Sequence, residues 1–252
     1  MVIRKSNREL ALMREAGRIV AITLAHLKER TKPGITTAKL DALAHQIVTE
    51  HGATPSFLGY RGFPASVCVS VNEQVVHGIP GSRVLEEGDI VSIDFGAIYQ
   101  GYHGDAAMTI GVGKISEEAQ ELIETTQGTL QAGIAQARKG HYLGDISWAI
   151  QSYAESRGFS VVRQYVGHGI GRDMHEDPQI PNYGQASRGI LLKPGMTFAL
   201  EPMVNIGAYQ TRVLDNNWSV VTEDGELSAH FEHTIAITNG EPEILTRLQE
   251  GI

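Results

Sequence analysis

Two histidines and an acidic pair stand close together in the glycine-rich stretch VGHGIGRDMHEDP, residues 166–178. His168 and His175 are seven residues apart, and Glu176 and Asp177 directly follow the second histidine. Imidazole binds transition metals and exchanges protons near neutral pH. Glycine lets the backbone approach a bound group closely. The stretch is therefore either a polar loop or the wall of a reaction site.

Four carboxylates lie on strand-like segments whose alternate residues are apolar. Asp94 lies in IVSIDFG, Asp105 in YHGDAAMTI, Glu201 in FALEPMV and Glu232 in LSAHFEHTIAI. Alternate side chains of a strand share one face, so each acid is predicted to point away from a core-like face. One such acid alone is usually solvated. Four of them with the imidazole of His168 form a donor set that suits Mn, Fe, Co or Zn.

Two of these acids are predicted to form a close pair. If the turn between their strands centres on Tyr99-Gln100, Asp94 lies directly opposite Asp105, with Cβ atoms ~4.5–5.5 Å apart. Like charges so placed destabilise a sheet unless a cation lies between them or one acid is protonated. Two metal ions ~3.5–4 Å apart need bridging carboxylates, and this set can supply them.

Helix and strand signals alternate twice along the chain. A capping box at Ser6–Glu9 begins the first helix, which Pro33-Gly34 ends. Further helices are predicted over 37–51, 116–138 and 145–157, and strands over 66–71, 89–112 with a turn, 159–166, 196–204, 218–222 and 227–237. Two helices followed by strands, repeated once, suggest two similar halves. The predicted class is α+β with mostly antiparallel pairing.

Composition narrows the class of protein. A chain of 252 residues with 42% hydrophobic residues can bury a sizeable core. The net charge of −8 argues against a broad nucleic-acid surface. A single cysteine excludes an internal disulfide and fits a reducing compartment. Neither a secretory signal nor an apolar run of ~20 residues is present, so a soluble cytoplasmic protein is predicted.

Seven short segments, taken together, resemble the type I methionine aminopeptidases. They cover nearly the whole chain in the order of that family, and they fill all five of its metal-ligand positions and both of its accessory histidine positions. The resemblance implies the pita-bread fold, with one catalytic domain over 1–252 and two pseudo-symmetric halves, roughly 1–113 and 114–252. The segments are VHGIP at 76–80, SIDFG at 92–96, Gly104-Asp105, GHGIG at 167–171, HEDP at 175–178, EPM at 201–203 and EHT at 232–234.

The resemblance also implies a dinuclear metal centre. Asp94 would chelate one ion, Asp105 and Glu232 would bridge both, and His168 and Glu201 would hold the other. The expected cofactor is two divalent ions drawn from Co, Mn, Fe, Zn and Ni. A bridging water or hydroxide is the implied nucleophile, since two cations lower the pKa of water.

Further residues receive roles by the same resemblance. Glu201 would shuttle a proton, and His77 and His175 would stabilise the tetrahedral oxyanion. Aromatic walls around an unbranched thioether give favourable sulfur–ring contacts. Some family members carry cysteine and an aromatic residue where this chain has Phe57 and Met174, which affects the shape of the pocket. The implied methionine pocket, whose members could also be plain core residues, comprises Phe57, Tyr60, Phe63, Cys68, Met174 and Trp218.

The implied function is removal of the initiator methionine from nascent proteins, with preference for a small second residue. Nascent N-termini, met also at the ribosome, are the expected partners of a monomer that binds neither membrane nor specific nucleic acid. A proline-directed aminopeptidase of the same fold is one alternative, although such enzymes usually carry an additional N-terminal domain. A non-catalytic binding homologue is the other, although such proteins lose ligand residues. The lack of a zinc-finger extension and of a long C-terminal insertion argues against the type II subclass.

Overall fold

Four α-helices confirm the predicted helical segments. The computed structural model describes residues 2–248 of the chain. The helices are α1 (Asn7–Arg30), α2 (Thr37–Glu50), α3 (Glu117–Gln136) and α4 (Leu143–Glu155), and a short 3-10 helix covers Tyr60–Gly62. Both bonds of the capping box are present, because the Ser6 amide donates to Glu9 Oε2 at 2.8 Å and the Glu9 amide donates to Ser6 Oγ at 3.4 Å. None of the described helices combines the length and apolar character that crossing a bilayer requires.

Fifteen strands are present among residues 2–248, and every strand pair is antiparallel. The α+β class with antiparallel pairing is therefore confirmed. The strands are β1 (Thr54–Pro55), β2 (Cys68–Val71), β3 (Gln74–Val76), β4 (Ile90–Tyr99), β5 (Tyr102–Gly111), β6 (Ser160–Val161), β7 (Gly167–Gly169), β8 (Glu176–Ile180), β9 (Thr197–Leu200), β10 (Met203–Asn205), β11 (Thr211–Val213), β12 (Val220–Thr222), β13 (Ser228–His230), β14 (Glu232–Ala236) and β15 (Glu243–Ile244).

The largest sheet joins strands from both parts of the chain. Its order is β1-β4-β5-β14-β9-β7-β8, with β2 also paired to β4 and β15 to β14. The join is the β5–β14 pair, where Glu232 lies opposite Ala107. Two three-stranded sheets, β13-β10-β6 and β11-β12-β3, complete the architecture.

Helices cover the sheet through two separate apolar cores. Ile93 and Phe95 of β4 are fully buried in a core with Ile19 of α1 and Leu40 of α2. A second core gathers residues of α3, α4, β9 and β14, including Leu122, Ile146, Phe198 and Ile235. Full burial of such a side chain stabilises the fold by ~1.5–3 kcal/mol. Because Ile93 and Phe95 face the core, Asp94 between them faces the opposite side of the sheet, as predicted.

The predicted pairing of Asp94 with Asp105 is wrong by two residues. Asp94 lies opposite Ala107, and Asp105 lies opposite Gly96. The turn residues are Gln100 and Gly101, both with positive φ, 47° and 81°. Two-residue hairpin loops favour this conformation because it matches the twist of the strands. The two acids therefore share a face as diagonal neighbours, for which Cα atoms are typically ~7–8 Å apart.

Two predicted strands are broken in the structure, and a third is reduced to two residues. The segment over 196–204 is interrupted at Glu201-Pro202, because proline has no amide hydrogen to donate to the ladder. The segment over 227–237 is interrupted at Phe231, so its halves lie in different sheets instead of forming one continuous face. Within 159–166 only Ser160–Val161 is strand. Each of the first two breaks lies beside a candidate metal ligand.

Candidate active site

Five candidate metal ligands arrive from five segments of the large sheet. Asp94 is on β4, Asp105 on β5, His168 on β7, Glu201 directly after β9, and Glu232 at the start of β14. Asp105, His168 and Glu232 each offer one ligand atom within 4.8 Å of the other two. Glu201 Oε1 lies 3.4 Å from His168 Nε2. The fold thus brings together residues that are up to 138 positions apart, from 94 to 232.

Without a cation, the four carboxylates strongly disfavour ionisation. Burial raises the pKa of Asp94 from 3.8 to about 7. Burial and then the negative charge of neighbouring acids raise the pKa values of Asp105, Glu201 and Glu232 well above their ordinary range. The charge of Asp94 contributes to all three of these increases. Removing water from several neighbouring carboxylates is unfavourable unless a positive charge compensates them. A cation bound between these side chains would supply that charge.

The imidazole of His168 has the neutral form and the tautomer that a metal ligand requires. Its Nδ1 lies 2.9 Å from the Gly169 carbonyl oxygen, which can only accept, so Nδ1 carries the hydrogen. Burial, and then the nearby His175, lower the pKa of His168 to about 3. The ring is therefore neutral at pH 7 and its Nε2 lone pair faces Glu201. Gly169 has to be glycine, since a Cβ there would collide with the Asp177 carbonyl of the paired strand.

Unpaired buried oxygens at the same place fit a divalent cation. Oδ1 of Asp94, Oδ1 of Asp105 and Oε1 of Glu232 are buried and have no hydrogen-bond partner among the described residues. Unsatisfied buried carboxylate oxygens are costly unless a cation or proton compensates them. Carboxylate oxygens with one neutral imidazole suit hard or borderline divalent metals. The residues present therefore fit a divalent metal site.

Two further histidines stand beside the acids. His77 has a left-handed backbone conformation, φ 59°, which is unusual for a residue other than glycine and occurs often at functional sites. Burial lowers the pKa of His77 to about 4. The His175 ring lies 4.2 Å from that of His168, centroid to centroid, and its Nδ1 lies 2.8 Å from the Tyr60 hydroxyl. Burial, and then the charge of Arg61, lower the pKa of His175.

An apolar pocket adjoins the acidic cluster. The Phe63 ring packs edge-on against Phe57, with centroids 6.5 Å apart, and against Trp218, at 5.1 Å. Cys68 is a buried free thiol whose backbone pairs with that of Asp94, and burial followed by the Asp94 charge raises its pKa. Phe57, Phe63, Cys68 and Met174 are buried in one small cluster, against which Tyr60 and Trp218 pack. This cluster is separate from the two main cores.

One cavity is lined by all thirteen residues singled out in the sequence and by Arg61. The thirteen comprise the five candidate ligands, His77, His175 and the six pocket residues. Arg61 was missed because a single arginine between Gly59 and Gly62 carries no motif. Its φ of 49° and its guanidinium 5.3 Å from the Tyr60 ring centroid place it at the cavity wall. The roles of these residues remain predictions.

A further histidine, His230, lies at the end of β13, two residues before Glu232. It is almost completely buried, and neither ring nitrogen has a hydrogen-bond partner within residues 2–248. Burial, and then the nearby His77, lower its pKa to about 3.

Comparison with known proteins assigns the chain to a family. The model of metallopeptidase family M24 matches residues 11–239. The chain belongs to this family. It is 57% identical to methionine aminopeptidase 1 of Bacillus subtilis over 248 residues, which cover 98% of this chain and 100% of that protein. The crystal structure of methionine aminopeptidase from Rickettsia prowazekii superposes with a TM-score of 0.97 at 44% identity, covering 98% of this chain and 100% of that one.

Membership of family M24 makes the chain a metallopeptidase, a hydrolase of peptide bonds. The resemblance to methionine aminopeptidases and the pita-bread fold are both confirmed. The prolidase from Pyrococcus horikoshii has a TM-score of 0.80 at 23% identity, and 65% of its chain is covered. That similarity shows a common fold alone. Family membership and the buried acidic cluster together indicate divalent metal binding.

Proposed function

We propose that this metallopeptidase removes the N-terminal methionine of newly made polypeptides, with preference for a small second residue. The observation that carries the proposal is one continuous cavity, which joins an apolar pocket to a cluster of four acids and a neutral imidazole. An apolar pocket beside the acids can hold one side chain and place the following peptide bond at the polar end. This arrangement favours release of a single terminal residue.

The apolar end suits an unbranched thioether. Phe63, Trp218 and Tyr60 present aromatic surfaces, and Met174 and Cys68 add polarisable sulfur. Contacts of a methionine sulfur with aromatic rings contribute ~0.3–1.5 kcal/mol each. Phe57 contacts Phe63 edge-on and narrows the pocket.

The polar end would hold two divalent ions, drawn from Co, Mn, Fe, Zn and Ni. Asp94 would hold one ion, His168 and Glu201 the other, and Asp105 and Glu232 would be shared. When bound, the ions supply the acidity that makes water a nucleophile at neutral pH. The unpaired buried oxygens of Asp94, Asp105 and Glu232 support this assignment.

The chain's own groups then move protons and stabilise charge. Glu201 accepts a proton from the attacking water and passes it to the departing amine. The Tyr60 hydroxyl lies 2.8 Å from His175 Nδ1. In the proposed mechanism it donates to Nδ1, and the neutral ring carries its own proton on Nε2. His175 Nε2 and His77 donate to the carbonyl oxygen as it becomes negative. Their lowered pKa values keep both rings neutral at pH 7.

Nascent chains as substrates imply a setting for the enzyme. We propose a monomer that acts in the cytoplasm, including at the ribosome, as one catalytic domain with related halves over 1–113 and 114–252. The net charge of −8 supports independence from specific nucleic-acid binding.

Peptide specificity separates this proposal from its rival. Metal-stripped protein should be assayed with and without Mn²⁺ on Met-Ala-Ser, on Met-Leu-Ser and on Ala-Pro-Ser. We expect free methionine from the first peptide only, with metal, and none from a Glu232→Gln variant. Faster cleavage of Ala-Pro-Ser than of Met-Ala-Ser would instead establish the proline-directed alternative. The fold similarity to prolidase is the only support for that alternative. No cleavage of any peptide would favour the binding homologue.

A further inference from the structure

The segment between β7 and β8 carries two of the cavity residues, Met174 and His175. It starts after Gly169 and ends at Glu176, which is also the first residue of β8. Backbone bonds between the described residues hold its first part, as far as Asp173, beginning with the Ile170 amide, which donates to the Thr197 carbonyl at 3.2 Å. The His103 amide donates to the Gly171 carbonyl at 2.8 Å, and the Gly171 amide donates to the Asp173 carbonyl at 3.1 Å. Something else must therefore fix the position of His175.

The carboxylate of Glu176 ties this segment together. Its Oε1 accepts the backbone amides of Arg172, at 2.8 Å, and of Asp173, at 3.4 Å. Its Oε2 accepts from the Lys5 ammonium at 2.6 Å. One side chain thus holds the turn of the segment and connects it to the N-terminal part of the chain. His175 is bonded directly to Glu176 through the backbone.

Lys5 is held rigidly at the other end of this contact. Its backbone amide donates to the Gly195 carbonyl at 2.6 Å, and the neighbouring Arg4 Nε donates to the Pro194 carbonyl at 2.7 Å. The Lys5 side chain packs so closely on Gly171 that a Cβ at residue 171 would collide with it. The position of the segment is therefore defined by Lys5 both sterically and electrostatically.

The ion pair is buried, which makes a role in overall stability a poor explanation for it. The side chains of Lys5 and Glu176 are 2% and 6% exposed. Burying two charges offsets most of their attraction, so a buried pair often stabilises a fold no more than apolar residues of equal volume. Removing one partner leaves the other without compensation, and the local geometry changes. Geometry is what a catalytic imidazole requires.

We propose that Lys5 is a positioning residue for the reaction, because its buried ion pair with Glu176 fixes the segment that carries His175. The inference rests on the proposed role of His175 in peptide cleavage. Tyr60 orients the ring from its side-chain end, and the Lys5–Glu176 pair fixes the backbone beneath it. A displacement of about 1 Å at a catalytic group can lower turnover by ~10²-fold. We therefore expect a large effect on kcat from a residue outside the cavity lining.

The matched variants are Lys5→Met and Arg14→Met. Methionine keeps the length of the lysine stem and removes the charge. The Arg14–Glu243 pair joins α1 to β15, with Arg14 Nε 2.6 Å from Glu243 Oε1, but it is exposed and neither residue lines the cavity. Glu176→Gln, which keeps an acceptor oxygen but no charge, and Lys5→Arg, which keeps the charge, complete the set in case Lys5→Met fails to fold.

The first measurement is amide hydrogen exchange in protein without metal. The amides of Arg172 and Asp173 should exchange at least about tenfold faster in Lys5→Met and Glu176→Gln than in the wild type, because a charge-assisted bond is lost. They should exchange at the wild-type rate in Arg14→Met. Unchanged exchange in the Lys5 and Glu176 variants would overturn the inference, whatever the enzyme cleaves.

The second measurement is kinetic and uses whichever peptide the wild-type protein hydrolyses with Mn²⁺. We expect Lys5→Met to lower kcat by ~10–10²-fold, with KM and bound metal nearly unchanged, and Lys5→Arg to recover most of the loss. In a His175→Ala background, Lys5→Met should have no further effect on kcat. An equal loss in both backgrounds would show that Lys5 does not act through His175. If the wild-type protein prefers Ala-Pro-Ser, the proposed function is wrong. The effect of Lys5→Met with and without His175 can still be measured on that peptide.

Discussion

Replacing Asp94 by asparagine should stabilise the protein when no metal is bound. Asp94 lies among three other acids, of which Asp105 and Glu232 are buried, and its Oδ1 has no partner among the described residues. Burial raises its pKa from 3.8 to about 7. An ionised Asp94 is therefore unfavourable in the folded, metal-free protein, and asparagine removes this charge with little change in volume.

The size of the effect follows from the change in pKa. At 1.36 kcal/mol for each pKa unit, a rise from 3.8 to about 7 corresponds to ~4 kcal/mol at high pH. The four acids share their protons, which reduces what a single substitution recovers. The buried asparagine amide also needs partners that Asp94 lacks. We therefore expect a net gain of ~1–3 kcal/mol in the free energy of unfolding.

The sign of the pH dependence is fixed by the direction of the pKa change. A carboxyl whose pKa is raised in the folded state stabilises the fold fully at pH values below its pKa in the unfolded state. This stabilisation is lost as the pH rises through its pKa in the folded state. Wild-type protein without metal should therefore lose stability between about pH 4 and pH 7. The advantage of Asp94→Asn should be small at pH 4 and should increase across this range.

Urea unfolding of chelator-treated protein at several pH values measures this difference. Glu243→Gln is a suitable control, since it removes a carboxylate that forms an exposed ion pair with Arg14 and should show no such gain. Adding Mn²⁺ should reverse the order, because ligand binding stabilises the wild type more than a variant with a weakened site. If metal-free Asp94→Asn is no more stable than wild type at pH 7, the charge of Asp94 does not destabilise the folded protein.

Other substitutions probe the remaining parts of the site. His175→Ala should lower kcat by ~10²–10³ with little change in KM and with metal still bound, whereas His168→Ala should bind metal weakly and regain part of its activity in excess Mn²⁺; metal loss as great in His175→Ala as in His168→Ala would contradict the assigned role of His175. Modification of Cys68 with a small thiol reagent should be slow, because the thiol is buried and its pKa is raised, but it should reduce methionine release, and bound methionine should protect it; full activity after complete modification would place Cys68 outside the pocket. Hydrogen bonds from Ser6 and Tyr102 lower the pKa of Glu9 from 4.5 to about 2, so Glu9→Gln should be less stable than wild type at pH 7, and the difference should disappear as pH falls from about 4.5 towards 2; a difference that stayed constant in acid would show that the charge of Glu9 does not matter.

Local signals in the sequence were sufficient for the helices and for the direction of the acidic side chains. The capping box at Ser6 and Glu9 determines where α1 begins. The alternation around Asp94 places Ile93 and Phe95 in the core and leaves the acid on the other face. Both follow from interactions between residues close in sequence, for which periodicity is a direct signal.

The register and the strand breaks depend on finer or longer-range effects. The two-residue error at Asp94 arose because the turn was placed one residue too early, whereas Gly101 readily adopts the positive φ that the second turn position requires. The interruption at Phe231 allows β13 and β14 to join different sheets, and no local signal marks it. Pro202 is a signal that could have been used.

Contacts between distant parts of the chain could not be predicted from local pattern. Lys5 and Glu176 are 171 residues apart, and neither belongs to a motif that links them. Arg61 likewise lies at the cavity only because the loop from Gly59 to Gly62 turns its side chain towards Tyr60. Such residues are revealed by the tertiary structure.

The proposed activity can be followed as methionine release from Met-Ala-Ser while metal is restored to stripped protein. We expect no methionine release without metal, and a rate of release that rises with the amount of bound Mn²⁺ until the site is filled. The Glu232→Gln variant should release no methionine at any metal concentration. Release at an undiminished rate from fully stripped protein, or from the Glu232→Gln variant, would contradict the assignment of this acidic cluster as the metal site of a methionine-removing peptidase.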